Sequence, residues 1–415
     1  MNIKILPRGP IARATIQTSF VLGLRLLVQA GTLLLVARML EPFEFGAFAG
    51  IAALAVLLGT FSTFGTHLVL LGEMSKDPYQ REHILSYAVP TTLIGGSLLF
   101  FVYIAVCLLF FHNVELSLSV ILCIGFTETI LLPLFLIPAT EELALEKTAR
   151  SQLLMIFPLS LRTLAAALVM FFDVKQPLVI FAWLYLTSAA LALLCMKWYK
   201  PNAWLSPNAW RLAKKQELKH SAGYAALAMT AAGPSEIDKM LAAKLLPLGI
   251  AGLYIAASRA IGAATLPVIA LLLSAMPRLF RGHANSQIQS QRLNHWILGS
   301  VLIYGVILAI FLWLLAPLIE RLFGYKYHGI AEILQWRCWV VPALALRFSL
   351  ANILMTMGRP WFRAGIEVFG TFLLFMVAIL FTSQLSSRGM GLALIVSEWS
   401  MVIIGFILII MERKN

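Results

Sequence analysis

Twelve apolar runs, each about 20 residues long or more, follow one another along this chain, separated by short polar breaks. A run of this length matches a helix that crosses the hydrocarbon core of a bilayer. The pattern therefore predicts twelve transmembrane helices rather than a water-soluble core. The predicted spans are 14–38, 45–71, 84–111, 116–140, 151–172, 177–196, 221–245, 249–276, 295–318, 329–356, 362–383 and 390–411.

Composition agrees with a membrane protein. Hydrophobic residues make up 60% of the 415 residues, and only 12% are charged. The four cysteines all lie inside apolar runs without metal-type spacing, which indicates small buried side chains and no metal site. A net charge of +13 would indicate nucleic acid in a soluble protein, but here the bases lie mainly in short loops, so no nucleic-acid partner is predicted.

The basic residues of the loops indicate the orientation in the membrane. The segment before the first run, the even-numbered loops and the C-terminus hold twenty of the 32 Lys and Arg residues. The odd-numbered loops hold Arg38, Lys175, Lys244, Arg321, Lys326 and Arg388. By the positive-inside rule, both termini are predicted to be cytoplasmic.

An internal repeat relates the two halves of the chain. An ungapped offset of 206 residues superposes 37–48 on 243–254, matching alanine, a basic residue, leucine, glycine and an aromatic residue. Because six runs separate the copies, both halves have the same orientation about an axis along the membrane normal. The sequence thus predicts an N-terminal six-helix lobe at 1–196, a basic cytoplasmic linker at 197–220 and a C-terminal six-helix lobe at 221–415.

The linker repeats Pro-Asn-Ala-Trp at 201–204 and 207–210 and carries six of the cytoplasmic bases. This composition favours an interfacial segment in which Trp204 and Trp210 rest on anionic lipid headgroups.

Basic residues also lie well inside the predicted spans. Each would cost roughly 2.5 to 3.5 kcal/mol at the centre of a lipid-facing helix, so they must face protein, water or a ligand. These residues are Arg25, Arg162, Lys239, Arg259, Arg337 and Arg347.

Two arrangements of these basic residues favour a binding surface. Thr18, Arg25, Gln29 and Thr32 follow helical spacing and form one polar stripe on the first span, which indicates a water-lined wall. Arg337 and Arg347 stand ten residues apart, roughly 15 Å along a helix, so they could contact an anionic substrate at two depths.

Acidic residues in the spans leave a second interpretation open, in which acids and bases pair to hold helices together. Glu236 and Lys239, three residues apart, are expected to bridge each other. Asp238 points elsewhere and is a candidate for binding a coupling proton or cation. Glu128 and Glu398 are further candidates for coupling or for ion pairing.

Five segments carry a family resemblance. They are Ala37–Gly46, Phe64–Gly65, Gly252–Arg259, and Leu322–Gly324 followed by Met357–Arg359. Together they resemble the polysaccharide transporter branch of the MOP (multidrug/oligosaccharidyl-lipid/polysaccharide) superfamily, which includes the Wzx-type O-antigen flippases.

The resemblance implies an all-α, MATE-like membrane fold of about twelve helices in two lobes related by a pseudo-two-fold axis. It implies a flippase that moves undecaprenyl-pyrophosphate-linked oligosaccharide from the inner to the outer leaflet of a bacterial inner membrane by alternating access, for O-antigen, capsule or exopolysaccharide synthesis. It also implies a cationic cavity, to which Arg25, Arg162 and Arg259 are the best matches. Membrane lipids and downstream polysaccharide polymerase machinery are candidate partners, and no cofactor is implied.

Two other functions remain open. A cation-coupled multidrug exporter shares this superfold but is expected to line its cavity with acids and aromatic residues, whereas here intramembrane bases outnumber acids six to five. A membrane polymerase or ligase of glycan assembly would need acid–base groups in its outer loops, which are short. The sequence contains no nucleophile motif, phosphate-binding glycine loop or metal-ligand cluster, so no catalytic residue is predicted.

Overall fold

The computed structural model describes residues 10–110, 116–172, 174–265, 267–268, 287–357 and 359–414. This part of the chain folds into helices joined by short turns and contains no β-strand. Several helices begin at proline, whose missing N–H is not needed in a first turn. The helices are α1 Pro10–Met39, α2 Pro42–Ser62, α3 Thr66–Lys76, α4 Arg81–Phe110, α5 Leu118–Phe126, α6 Leu132–Ala144, α7 Thr148–Phe171, α8 Pro177–Tyr199, α9 Lys215–Leu245, α10 Leu248–Ala264, α11 Gln287–Phe323, α12 Ile330–Arg337, α13 Val341–Thr356, α14 Pro360–Leu385 and α15 Ser387–Lys414.

Ten of the predicted spans coincide with helical stretches long and apolar enough to cross a membrane. They are Phe20–Met39, Pro42–Ser62, Pro78–Phe110, Leu118–Ala144, Thr148–Phe171, Pro177–Tyr199, Asn294–Phe323, Ile330–Met355, Pro360–Leu385 and Ser387–Met411. The predicted span 221–245 coincides with α9, which carries charges along its length. The first part of the predicted span 249–276 coincides with α10, a shorter apolar helix, and residues 266 and 269–276 lie outside the described residues. The chain is an all-α, multi-pass membrane protein.

Two predicted spans are interrupted. The predicted span 45–71 contains a break, because α2 ends at Ser62 and α3 begins at Thr66. The predicted span 329–356 consists of α12 and α13, which a 3₁₀ turn at Cys338–Val340 joins. The first break falls in the polar segment Ser62–Thr66, where Gly65 adopts a positive φ of 74°. The second break lies in a segment that remains mostly apolar.

The described helices form two compact units. The first unit comprises Met1–Leu35, Leu58–Leu109 and Leu116–Ala226. The second unit comprises Val36–Leu57, Phe110–Glu115 and Leu227–Asn415. Each unit has its own apolar clusters: one in the first unit centres on Leu70, Leu85 and Ile137, and one in the second unit centres on Leu350, Leu354 and Met401.

The segment predicted as an interfacial linker packs against the first unit. The Trp204 indole N–H donates to the Leu134 carbonyl at 2.9 Å, and the Trp210 indole N–H donates to the Trp204 carbonyl at 2.9 Å. Both side chains pack against the buried cluster around Leu85. The segment is therefore docked on protein, with both tryptophans half-buried, and contact of these side chains with lipid headgroups stays a prediction.

Ionic contacts fix the beginning of the same segment. Glu141 is buried and accepts two hydrogen bonds from the Arg81 guanidinium, at 2.6 and 3.2 Å. The Lys200 ammonium bridges Glu141 at 2.7 Å and the buried Glu142 at 3.2 Å. Arg81 also donates to the Asn202 carbonyl at 2.7 Å.

The end of the segment is fixed at the start of α9. Arg211 pairs with Glu217 through two hydrogen bonds of 2.6 and 2.9 Å, and its guanidinium lies over the Tyr87 ring at 5.0 Å. The hydrogen bonds from Arg211, supplemented by the Lys214 N–H, lower the pKa of Glu217 to about 2. The linker is thus a docked structural element of the first unit.

Candidate functional site

A cavity of about 220 Å³ lies within the first unit. Residues of α1, α6, α7 and α8 line it, so it is built from helices that lie far apart in the sequence. The lining residues are Arg25, Gln29, Leu132, Phe135, Met155, Pro158, Leu159, Arg162, Tyr185, Ser188 and Ala189. Three predicted binding residues, Arg25, Gln29 and Arg162, therefore meet at one place.

Arg25 and Gln29 reach the cavity from α1 because they are four residues apart and share one face of the helix. The Arg25 Nη1 donates to the Gln152 Oε1 on α7 at 2.7 Å. One helical turn further along, the Thr32 hydroxyl hydrogen-bonds to the Thr163 hydroxyl at 2.5 Å. These contacts fix the predicted polar stripe of α1 against α7; the side chain of Thr18, which also belongs to that stripe, lies outside the described residues.

Arg162 reaches the cavity from α7. Its Nη1 donates to the Tyr185 hydroxyl at 3.0 Å, and its guanidinium lies 5.2 Å from the centre of the Tyr185 ring. The Tyr185 hydroxyl in turn donates to Glu128, which lies on a π-helical turn at Thr127–Leu131. The Arg162 Nε is buried and has no hydrogen-bond partner among the described residues. One hydrogen-bond donor of Arg162 is thus left unused beside the cavity.

The side chains that line the cavity carry a net positive charge. It contains two guanidinium groups, one amide and two hydroxyls, while the described lining residues include no carboxylate. Glu128 does not line the cavity, and the Tyr185 hydroxyl links its carboxylate to Arg162. Guanidinium groups bind phosphate oxygens through paired, charge-assisted hydrogen bonds. The arrangement is suited to an anionic group.

Arg337 lies elsewhere, in the second unit, where it forms a closed ion pair. It is 5% exposed, and its Nη2 donates to the Asp238 Oδ2 at 2.6 Å. The Tyr254 hydroxyl donates to the other Asp238 oxygen at 2.7 Å, and the Arg337 guanidinium lies 4.0 Å from the Tyr254 ring centre. We predicted that Arg337 contacts substrate and that Asp238 binds a coupling ion. The structure instead pairs the two side chains with each other, so each charge is already neutralised.

Arg347 is paired in the same way. Its Nε donates to Glu398 Oε2 at 2.6 Å, and Glu367 lies 3.9 Å from its Nη1. All three side chains are buried. The structure therefore places Arg347 and Glu398 in the ion-pair role that the sequence left open, and does not place Arg337 and Arg347 along one open surface.

The other predicted residues also lie in the second unit. Lys239 and Glu236 form the expected bridge, with 2.6 Å between the ammonium and the carboxylate. Arg259 is half-buried on α10, with its guanidinium 5.8 Å from the centre of the Phe45 ring. Neither Lys239 nor Arg259 lines the cavity of the first unit.

Two residues that accept hydrogen bonds from the cavity arginines, Gln152 and Tyr185, were not predicted. Both are polar residues within apolar runs, and Tyr185 lies three residues before Ser188, so the two share a helix face. This spacing was the available signal. Their pairing with Arg25 and Arg162 depends on helix packing, which the sequence does not specify.

Comparison with known proteins supports the fold. Neither a protein-family model nor a curated protein sequence matches the chain. An inward-facing multidrug resistance MATE family transporter of the MOP superfamily superposes with a TM-score of 0.73 at 13% identity, covering 96% of this chain and 98% of that one. An outward-facing MATE family transporter gives 0.71 at 15% identity, covering 98% and 96%.

A third structure is a MOP superfamily transporter from Pyrococcus furiosus, for which a reverse polarity of the binding pocket suggests a different function. It superposes with a TM-score of 0.70 at 13% identity, covering 98% of this chain and 96% of that one. The chain therefore has the fold of MATE transporters of the MOP superfamily. At these identities the likeness defines the fold, and the argument for function must come from the site.

Proposed function

We propose that this chain is a flippase that carries an undecaprenyl-pyrophosphate-linked oligosaccharide from the inner to the outer leaflet of a bacterial inner membrane by alternating access. The pyrophosphate binds between Arg25 and Arg162. The observation that carries the proposal is a cavity lined by two guanidinium groups and no carboxylate among the described lining residues.

The chemistry of the substrate explains why such a cavity is needed. A pyrophosphate with attached sugars cannot cross hydrocarbon, because its charges would lose their hydration. Fixed arginine donors replace that water, and the planar fork of each guanidinium matches two phosphate oxygens. The polyprenyl tail stays in the bilayer, so only the head needs a path.

The size of the cavity supports a small anionic group at this point. Its volume of about 220 Å³ is below the roughly 300–1,000 Å³ of pockets that enclose drug-sized ligands. A pyrophosphate is held here while the sugars extend beyond the cavity. A cationic drug would face two like charges, which disfavours the multidrug exporter. The Pyrococcus furiosus transporter, with its pocket of reverse polarity, is a precedent for this fold with a changed pocket charge.

The test is a flipping assay in proteoliposomes with a fluorescent polyprenyl-pyrophosphate oligosaccharide, read by chemical quenching of the outer leaflet. Arg25→Ala and Arg162→Ala are each expected to slow flipping roughly 10- to 100-fold at low substrate, because each removes a charge-assisted contact to phosphate. Arg150→Lys is the control, because Arg150 lies on the same helix as Arg162, is 54% exposed in its side chain and lies 3.8 Å from Glu142, where lysine keeps the positive charge. It is expected to flip at the parent rate.

Two outcomes would contradict the proposal. One is full flipping by the double variant Arg25→Ala with Arg162→Ala. The other is an absence of flipping by the parent protein together with transport of cationic dyes, which would indicate the exporter. In cells that lack this protein, lipid-linked oligosaccharide is expected to accumulate in the inner leaflet.

A further inference from the structure

Two basic side chains of the second unit each hold the C-terminal end of a helix. The Arg38 Nε, at the end of α1, donates to the Leu322 carbonyl in the last turn of α11 at 2.9 Å. The Lys244 Nζ, at the end of α9, donates to the Phe110 carbonyl at the end of α4 at 2.6 Å. The last carbonyls of a helix lack intrahelical donors and carry partial negative charge, so a cation binds well there.

These two contacts are related by the internal repeat. Positions 38 and 244 are separated by the repeat offset of 206 residues, and they end the first and seventh predicted spans. The Phe110 carbonyl lies at the end of the third predicted span, and the Leu322 carbonyl lies four residues beyond the ninth. Each half of the sequence therefore supplies a basic residue that caps a helix of the other half.

A pair of glycines repeats this reciprocity. A Cβ added at Gly46 would lie within 3.0 Å of the Leu248 carbonyl oxygen, and a Cβ added at Gly252 would lie within 3.0 Å of the Pro42 carbonyl oxygen. The offset of 206 residues again relates position 46 to 252 and position 42 to 248. The first turns of α2 and α10 thus cross backbone to backbone about a local two-fold axis, and a side chain at either glycine would push the helices apart.

The contacts share properties that allow them to open. The Arg38 and Lys244 side chains are exposed, so water can replace each hydrogen bond when it breaks. At the two glycines, the atoms of the facing helix that lie nearest are backbone atoms, so no side chain locks the crossing at these points. Glu41 and Lys326 form an exposed ion pair of 3.3 Å beside them. The charge distribution predicts that this end of the helices lies at the outer membrane face.

We propose that these reciprocal contacts form the outer gate of the transport path, with Arg38 and Lys244 as two equivalent latches. This inference rests on the proposed function, because alternating access requires that one end of the path is closed while the other is open. The gate is closed in this structure. Loss of either latch shifts the closed-to-open ratio roughly tenfold, because one hydrogen bond from a charged donor is lost.

The experiment uses cysteines placed at Glu41 and Lys326, in a protein whose four native cysteines are replaced. A short bifunctional thiol reagent is expected to join the two positions in high yield and to stop flipping, and a cleavable form of the reagent restores flipping upon reduction. A failure to cross-link, or flipping that continues in the cross-linked protein, would overturn the gate.

The cross-linking yield also tests the gate without any substrate, so it is independent of the proposed function. Arg38→Ala and Lys244→Ala should lower the yield to similar extents, whereas Arg38→Lys should preserve it. Gly252→Ala should lower it strongly. Gly249→Ala is the matched control, because no atom lies within 4 Å of a Cβ added there. Equal yields in all variants would show that the contacts are merely structural and overturn the proposal.

Discussion

The ion pair of Arg337 with Asp238 can be tested for a structural role and for a substrate-binding role separately, because stability and flipping rate are measured on the same variants. We expect Asp238→Asn to destabilise the protein and Arg337→Ala to do so as well. The double variant Asp238→Leu with Arg337→Met should recover most of the loss. It should also flip substrate at close to the parent rate, because neither side chain lines the cavity.

The magnitudes follow from the burial of both groups. Arg337 is 5% and Asp238 is 1% exposed, so removal of one partner leaves an uncompensated buried charge, which costs about 3–5 kcal/mol. The Arg337 Nε and Nη1 have no hydrogen-bond partner, so the pair is incompletely satisfied. An apolar replacement of both members is therefore expected to fall within about 1–2 kcal/mol of the parent, including the Tyr254 hydrogen bond that is lost.

The assay is reversible unfolding in mixed micelles titrated with a denaturing detergent, with flipping measured on the same preparations. A double-mutant cycle, completed with the single variants Asp238→Leu and Arg337→Met, then gives the coupling between positions 238 and 337, which we expect to reach about 3 kcal/mol. The reasoning is refuted if Arg337→Ala keeps full stability but loses flipping. A stable but inactive double variant would also refute it, and would return Arg337 to the substrate path.

Two further predictions concern the docked linker. Arg211 lowers the pKa of Glu217 to about 2, so their ion pair stabilises the linker at pH values above the ordinary carboxyl pKa. This stabilisation is lost as the pH falls towards 2. The free energy of unfolding should therefore depend less on pH between pH 6 and pH 3 in Glu217→Gln than in the parent protein. Lys200→Met should destabilise the protein by about 1–3 kcal/mol in detergent unfolding, because Lys200 bridges two buried carboxylates. Lys197 is exposed and is the control, since Lys197→Met should leave the stability unchanged. An equal effect of both substitutions would contradict the bridge.

Local spacing predicted what depends on a single helix. The apolar runs located the helices because a bilayer imposes length and composition on each span independently. The stripe of Arg25 and Gln29 followed from the helical period, and the bridge between Glu236 and Lys239 followed from their spacing. The 206-residue offset identified positions whose contacts correspond in the folded chain, such as Gly46 and Gly252.

Contacts between distant segments could not be predicted in this way. Arg337 and Asp238 are 99 residues apart, and nothing in either local segment specifies the other as a partner. When that pairing is not known, Arg337 and Arg347 on the same predicted span indicate a surface that binds an anionic substrate. The same limitation applies to Trp204 and Trp210. The composition around them is typical of a lipid interface, but it could not show that both indoles pack against helices of the first unit.

The partners of the buried arginines divide the two units by function. In the second unit, Arg337 and Arg347 each contact a carboxylate, so an anionic ligand would have to displace a charge that is already bound. In the first unit, Arg25 and Arg162 donate to an amide oxygen and to a phenol oxygen. Exchange of a neutral acceptor for a phosphate oxygen gains a hydrogen bond roughly twice as strong. Anion binding is therefore expected in the first unit, while the second uses the same residue type to hold its helices together.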